Sequence, residues 1–499
     1  MTLGGQAAPG PDSGPDDVVA PTRTDPFARS MSEVIGGPFG RHARPHRWWV
    51  PVRVLLALFA VVFALSLVQH DPCLRTNWSD DQARYGKACY SDIPYLYTGR
   101  GFAEALWPYA DNGGRYQVME YPVGISYLAW VAAKVTQLDP AGPPVAERHH
   151  QDPNGMWSLP GMTTEVNNYF LVSAIFLGAF GLLATWFMAG VHPRRPWDAL
   201  PFVLSPALLM TGLINWDLMA VALVAGALWA WARGRPVLTG VLIGLGVATK
   251  LYPLFLLGPI LVVAWRERRL RAFAAAAGAA AVSWAVVNLP AWLGGPEEWK
   301  VFWQFNSERG PDLGSVWLAL THAGHQFTAH TVNQWSWALF GAVCVLVGLL
   351  GLKARRTPRV AQLAFLVVAG FLLVNKVYSP QYVLWLLPLA VLARPRWRDL
   401  LIWQAGELLY FFAVWTYLGG WLEEAVGGGA PVYDIAIWVR VAAQLYLVAV
   451  VVRDILRPEH DPVTVDDPVP GLPEDLHRVE RGRGEPDPAV DLVADSRHG

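Results

Sequence analysis

Apolar residues in this chain come in long blocks rather than in alternation with polar ones. Between a polar head and a polar tail, runs stand out at roughly 50–69, 168–190, 198–213, 217–232, 236–249, 252–265, 272–291, 336–352, 360–374, 381–393, 400–418 and 434–452. A helix of about 20 apolar residues matches the hydrocarbon thickness of a bilayer. The pattern therefore predicts an all-α integral membrane protein of about 12 transmembrane helices. Six runs hold only about 13 to 16 residues, so they must extend into polar flanks, break, or line a protein interior.

Charged residues between the runs fall into two alternating sets. Arg194 and Arg195, Arg233 and Arg235, the group Arg266, Arg268, Arg269 and Arg271, then Lys353, Arg355 and Arg356, then Arg394, Arg396 and Arg398, and finally Arg453 and Arg457 fall in every second connection. Lys and Arg are retained on the cytoplasmic side. This predicts a multi-pass plasma-membrane protein with both termini cytoplasmic. Ionisable residues at membrane level (Asp92, Asp217, Lys250, Lys376) gather in the opposite connections, where they mark a polar, extracytoplasmic site. The apolar stretch from Tyr121 to Gln137 breaks this parity if it crosses, so it is expected to lie on the outer surface as an interfacial or juxtamembrane helix.

Three units follow: a disordered cytoplasmic tail over 1–46, a membrane domain over 47–456 and a second disordered tail over 457–499. The first apolar run follows Arg41, Arg44 and Arg47 and lacks a small-residue cleavage site, so it reads as a retained span and not as a signal peptide. Within the domain, the first extracytoplasmic loop covers 70–167, long enough to need structure of its own as a cap.

Composition agrees. Only 16% of 499 residues are charged, and 25 are Trp, which favours the membrane boundary. A net charge of -1 gives no electrostatic case for nucleic acid. Cys73 and Cys89 share the first outer loop, where oxidation is possible, while Cys344 in an apolar run reads as packing.

Asp92 in YSDIPYLYTGRGF, the Glu120-Tyr121-Pro122 triplet, NWDL from Asn215, ATKLYPL from Ala248, RGPDLGSVW from Arg309 and NKVYSPQYVLWLLP from Asn375 occur in an order that resembles the polytopic glycosyltransferases of the GT-C fold class. Within that class the chain is similar to glycosyltransferase family 87, the polyprenol-phosphate-mannose-dependent α-mannosyltransferases of actinobacteria, over approximately residues 50–455. Val123 stands where a second Pro would follow the triplet, and the acceptor-binding region has no residue-by-residue match. The resemblance implies transfer of a hexose, mannose foremost, from a polyprenyl phosphate donor to a glycolipid or polymer acceptor, with inversion. It implies no cofactor and leaves divalent-metal dependence open.

A hydroxyl is a poor nucleophile near neutral pH, so a positioned carboxylate is required, and Asp92 is the candidate base. The departing phosphate needs cations, for which Lys250, Lys376 and Arg309 are placed. Glu120, Tyr121, Asn215, Asp217, Tyr252, His322 and Tyr378 complete the candidate substrate-binding set. Each has a plainer explanation. Asp92 and Asp217 each stand where a helix N-cap would, Lys250 could snorkel, Lys376 and Tyr378 flank a Ser-Pro turn, and any of His322, His325 or His330 could face the donor. The histidine spacing makes no convincing metal site. A transporter or flippase of a lipid-linked sugar is the competing function, against which stand the lack of an evident internal repeat and the gathering of charges at one face.

Overall fold

Uninterrupted apolar runs produce the longest helices. In a computed structural model that describes residues 18, 25–36, 48–422 and 430–466, the chain is helical throughout, and no β-strand occurs among the described residues. A short α1 (Pro26–Gly36) precedes α2 (Pro51–Arg75), α3 (Ile93–Gly99), α4 (Val123–Thr136), α5 (Met162–Val191) and α6 (Pro206–Thr211). There follow α7 (Asp217–Ala232), α8 (Pro236–Val247), α9 (Leu257–Arg266), α10 (Leu270–Gly294), α11 (Pro296–Glu308) and α12 (Val316–His322). The order closes with α13 (Ala329–Lys353), α14 (Val360–Val374), α15 (Val383–Ala393), α16 (Trp397–Leu418) and α17 (Pro431–Leu456). Five of these, α2, α5, α10, α13 and α17, are long and apolar enough to cross a membrane.

The short runs behave differently. At 1.5 Å per residue, the 16 residues of α7 reach only about 24 Å, and α7, α14 and α15 are buried on nearly every side. They lie inside the bundle, α7 against α5, α14 against α13 and α17, and α15 against α7 and α14. The run at 198–213 is not one helix. It breaks into Pro196–Ala199, Leu200–Val203 and α6, because Pro201 and Pro206 remove donors and Ser205 restarts the chain by capping the amide of Leu208 at 3.1 Å. The runs at 252–265 and 381–393 open with 3₁₀ turns, Tyr252–Leu256 and Pro380–Tyr382.

Close packing relies on small residues. A Cβ on Gly240 would lie 2.0 Å from the Ala276 carbonyl oxygen, and one on Gly244 2.2 Å from that of Ala280. The four-residue spacing lets α8 lie directly on α10, the small-residue contact that helices use in lipid.

The long first loop is folded, as its length required. Cys73 and Cys89 form a disulfide that ties the end of α2 to the segment leading into Asp92. α4 packs on the bundle with one face and leaves another open: Ile125, Ala129 and Ala132 are fully buried while Val131 and Val135 are exposed, and the Gly124 amide donates to the Ala248 carbonyl at 2.6 Å. The packed face is satisfied by protein. An ion pair without solvent access, Arg148 with Glu165, fastens the loop to α5 through contacts of 2.6 and 2.8 Å, and Tyr97 also donates to Glu165. Glu165→Gln leaves Arg148 uncompensated there and should lower the unfolding free energy by about 3–5 kcal/mol, read by denaturant titration in detergent micelles.

The arginine-rich connections meet at one end. Arg195 pairs with Asp198, Arg359 with Asp461 and Arg394 with Asp399. Short pieces of both terminal segments pack here: Asp25 accepts from the Trp397 amide at 2.9 Å, and Asp461 and Val463 are buried. The remainder of both tails lies outside the described residues. Cys344 is exposed on the outer side of α13, not packed.

Candidate active site

α14 runs from the arginine end at Arg359 to the opposite end, where Lys376 follows it. There a cavity of about 760 Å³ opens, and Asp92, Glu120, Tyr121, Asn215, Lys250, Arg309 and Lys376 all line it. Seven candidates far apart in the chain thus converge.

Asp92 occupies the N-terminal boundary of α3, yet its side chain makes no capping bond to that helix. Its backbone is fixed from elsewhere. The Asp92 amide donates to the Ile214 carbonyl at 2.8 Å and the Ser91 hydroxyl to that of Leu213 at 2.7 Å, which pins this segment to the loop before Asn215. The carboxylate is left for the cavity, where the Tyr121 hydroxyl donates to Oδ2 at 3.3 Å. Burial pushes its pKa up to about 6, against the pull of the Tyr90 hydroxyl, the Lys250 charge and the Tyr121 hydroxyl. Such a group is ionised at neutral pH and more basic than an ordinary aspartate.

Glu120 is a different kind of carboxylate. Arg100 grips both its oxygens at 2.8 Å, a fork geometry that fixes the side chain and occupies its acceptor sites. Asp92 is the carboxylate of the cavity without such a clamp.

The three cations differ in the same way. Lys250 lies 3.0 Å from Asp217 and 4.7 Å from the centre of the Tyr121 ring. Arg309 is paired with Asp312 at 2.5 Å. Lys376 is held by neutral oxygens, the Asn306 carbonyl and the Asn333 side chain, the latter at 2.6 Å. Burial and then the neighbouring Arg309 lower its pKa to about 8. It is thus a cation in want of an anion.

Asp217 stands behind Lys250, off the cavity wall. One oxygen accepts from Trp385 and Lys250, both at 3.0 Å, while the other is buried and unpartnered, as is the side-chain amide nitrogen of Asn215. Tyr252 is fully buried and stacks on Trp385 with ring centres 4.8 Å apart. His322 lies away from the cavity and contacts Asp434 at 2.7 Å. Tyr378 points inward to Glu407 and Gln444. These last three do not join the constellation.

The sequence reading missed Tyr90, Tyr382 and, beside Trp303, the aromatic wall of Phe305, Trp337 and Phe371, as well as Arg100 behind Glu120. Tyr90 offered a signal, an aromatic hydroxyl two residues before the candidate base. Phe305 on α11 and Trp337 on α13 are 42% and 56% exposed, so the cavity has an apolar side turned outward. Among the described residues no three His, Cys, Asp or Glu side chains converge as a metal site.

A comparison with curated proteins gives no match. Asp92, Glu120 and Lys376 rest on geometry alone, because the comparison with protein families reaches only the middle of the chain. Over residues 159–375, which carry Asn215, Asp217, Lys250 and Arg309, this membrane protein matches the model of glycosyltransferase family 87.

Proposed function

We propose that the chain is a membrane glycosyltransferase that moves a hexose, mannose foremost, from a polyprenyl phosphate to an acceptor hydroxyl on a glycolipid or polymer at the extracytoplasmic face. One observation carries the reading: a single cavity holds an unclamped, basic carboxylate, Asp92, together with a lysine, Lys376, that has no carboxylate partner among the described residues.

The acceptor hydroxyl gives its proton to Asp92 as its oxygen attacks the anomeric carbon. The bond from that carbon to the phosphate oxygen breaks on the opposite face, inverting the centre, and the phosphate keeps the electron pair. Lys376, Arg309 and Lys250 take up its charge. The outward-turned wall of Trp303, Phe305 and Trp337 suits the isoprenoid chain. The Cys73–Cys89 bond supports the placement outside, since disulfides persist in oxidising compartments.

Proteoliposomes supplied with labelled polyprenyl phosphate mannose and a membrane acceptor fraction test this. New glycoside is expected, with kcat/KM falling below pH 6 as Asp92 gains a proton and above pH 8 as Lys376 loses one. Label that crosses the bilayer without a new glycosidic bond would identify a carrier. A profile flat from pH 5 to 7 would remove Asp92 as base.

A further inference from the structure

Beneath the wall that bears Lys376, an ion pair is buried in the helical core. Glu407 sits in the middle of α16 and Arg440 in the middle of α17, 2.7 Å apart, with side chains 3% and 0% exposed. Desolvation makes such a pair a poor source of stability compared with apolar residues of the same volume. Charges retained at this depth call for another reason.

The guanidinium of Arg440 faces the backbone of one loop. Its Nη1 donates to the Tyr378 carbonyl and its Nη2 to that of Ser379 at 3.3 Å, and its centre lies 3.3 Å from the centre of the Tyr378 ring. Glu407 completes the grip, 2.9 Å from the Tyr378 hydroxyl. That loop is joined in turn to the one carrying Arg309: the Asp312 amide donates to the Lys376 carbonyl at 2.8 Å, and the Tyr378 amide to the Leu313 carbonyl at 3.0 Å. Gly314 closes the seam with a positive φ of 75°, its amide donating to Tyr433. A Cβ there would come within 2.1 Å of the Tyr378 carbonyl oxygen. Both cation-bearing loops therefore rest on one buried fork.

We infer that Arg440 and Glu407 are positioning residues for the anion-binding end of the cavity: Arg440, oriented by Glu407, holds the Tyr378 and Ser379 carbonyls so that Lys376 and Arg309 converge on one phosphate. The inference rests on the function proposed above only in taking a lipid phosphate as the anion. The Lys-for-Arg exchange is informative because an ammonium keeps the charge beside Glu407 but cannot fork across two carbonyls.

The test is binding of farnesyl phosphate to the full-length protein in detergent, followed by tryptophan fluorescence, with thermal unfolding measured on the same samples. The Arg440→Met/Glu407→Met pair removes both charges at similar volume and should unfold within a few degrees of wild type while its affinity falls at least tenfold. Arg440→Lys should show the same tenfold loss, and it serves alone if the double variant does not fold. Affinity within twofold of wild type in a folded variant overturns the positioning role. Wild-type protein that binds farnesyl phosphate but transfers no sugar would sink the proposed reaction and leave the positioning role standing.

Discussion

Asp92→Asn is expected to lower kcat for sugar transfer by about 10³-fold, within the range a lost general base produces, with donor affinity nearly unchanged. The amide keeps the size of the carboxylate and can still accept from Tyr121, and it disturbs no helix cap because Asp92 makes none. Protein yield and thermal unfolding should therefore match wild type. Single-turnover transfer measured beside farnesyl phosphate binding separates the two effects. Normal turnover would exclude Asp92 from the proton transfer. Equal loss of binding and turnover would make it a structural residue.

The second large effect is expected at Lys376. Removing the charge in Lys376→Met takes away the lining cation that, among the described residues, has no carboxylate partner, and loss of one such electrostatic contact costs about 10²-fold in kcat/KM. The fall should appear largely as weaker donor use, because the phosphate is charged before as well as during bond breakage. Lys376→Arg retains charge at every pH, so the alkaline limb near pH 8 should vanish from its profile while the acid limb near pH 6 persists. A limb near pH 8 that survives in Lys376→Arg would assign it to another group.

Much of the fold was legible because membrane burial writes long apolar runs. The helices over 217–232 and 360–374 coincide with the runs that predicted them. What failed was local. Prolines 201 and 206 broke a run whose hydropathy looked continuous, since hydropathy records partitioning and not backbone donors. For α4, hydropathy cannot tell lipid from the interior of a protein as the solvent of an apolar face, so which of its residues protein covers was not legible.

The site was legible in part for the opposite reason. An ionisable residue in an apolar setting is conspicuous, and seven of the candidates do meet in one cavity. Tyr252, His322 and Tyr378 do not, because neighbourhood in sequence at a loop fixes which end of the bundle a residue occupies but not where its side chain points. Pairings such as Lys250 with Asp217 or Glu120 with Arg100 depend on tertiary approach and leave no periodic trace. Glu407 and Arg440 did leave one, charges within the runs at 400–418 and 434–452, and the rule that flagged Asp217 applies to them equally.

The bond between Cys73 and Cys89 has a temporal side. It closes three residues before Asp92, and thiols so placed are oxidised only after reaching a compartment that permits it. On the proposed reading, a nascent copy carries Asp92 on a slack tether until that oxidation takes place. Under the proposed extracytoplasmic orientation, fastening the Asp92 segment and reaching the far side of the bilayer become one covalent event, which a copy inserted in reverse would not undergo.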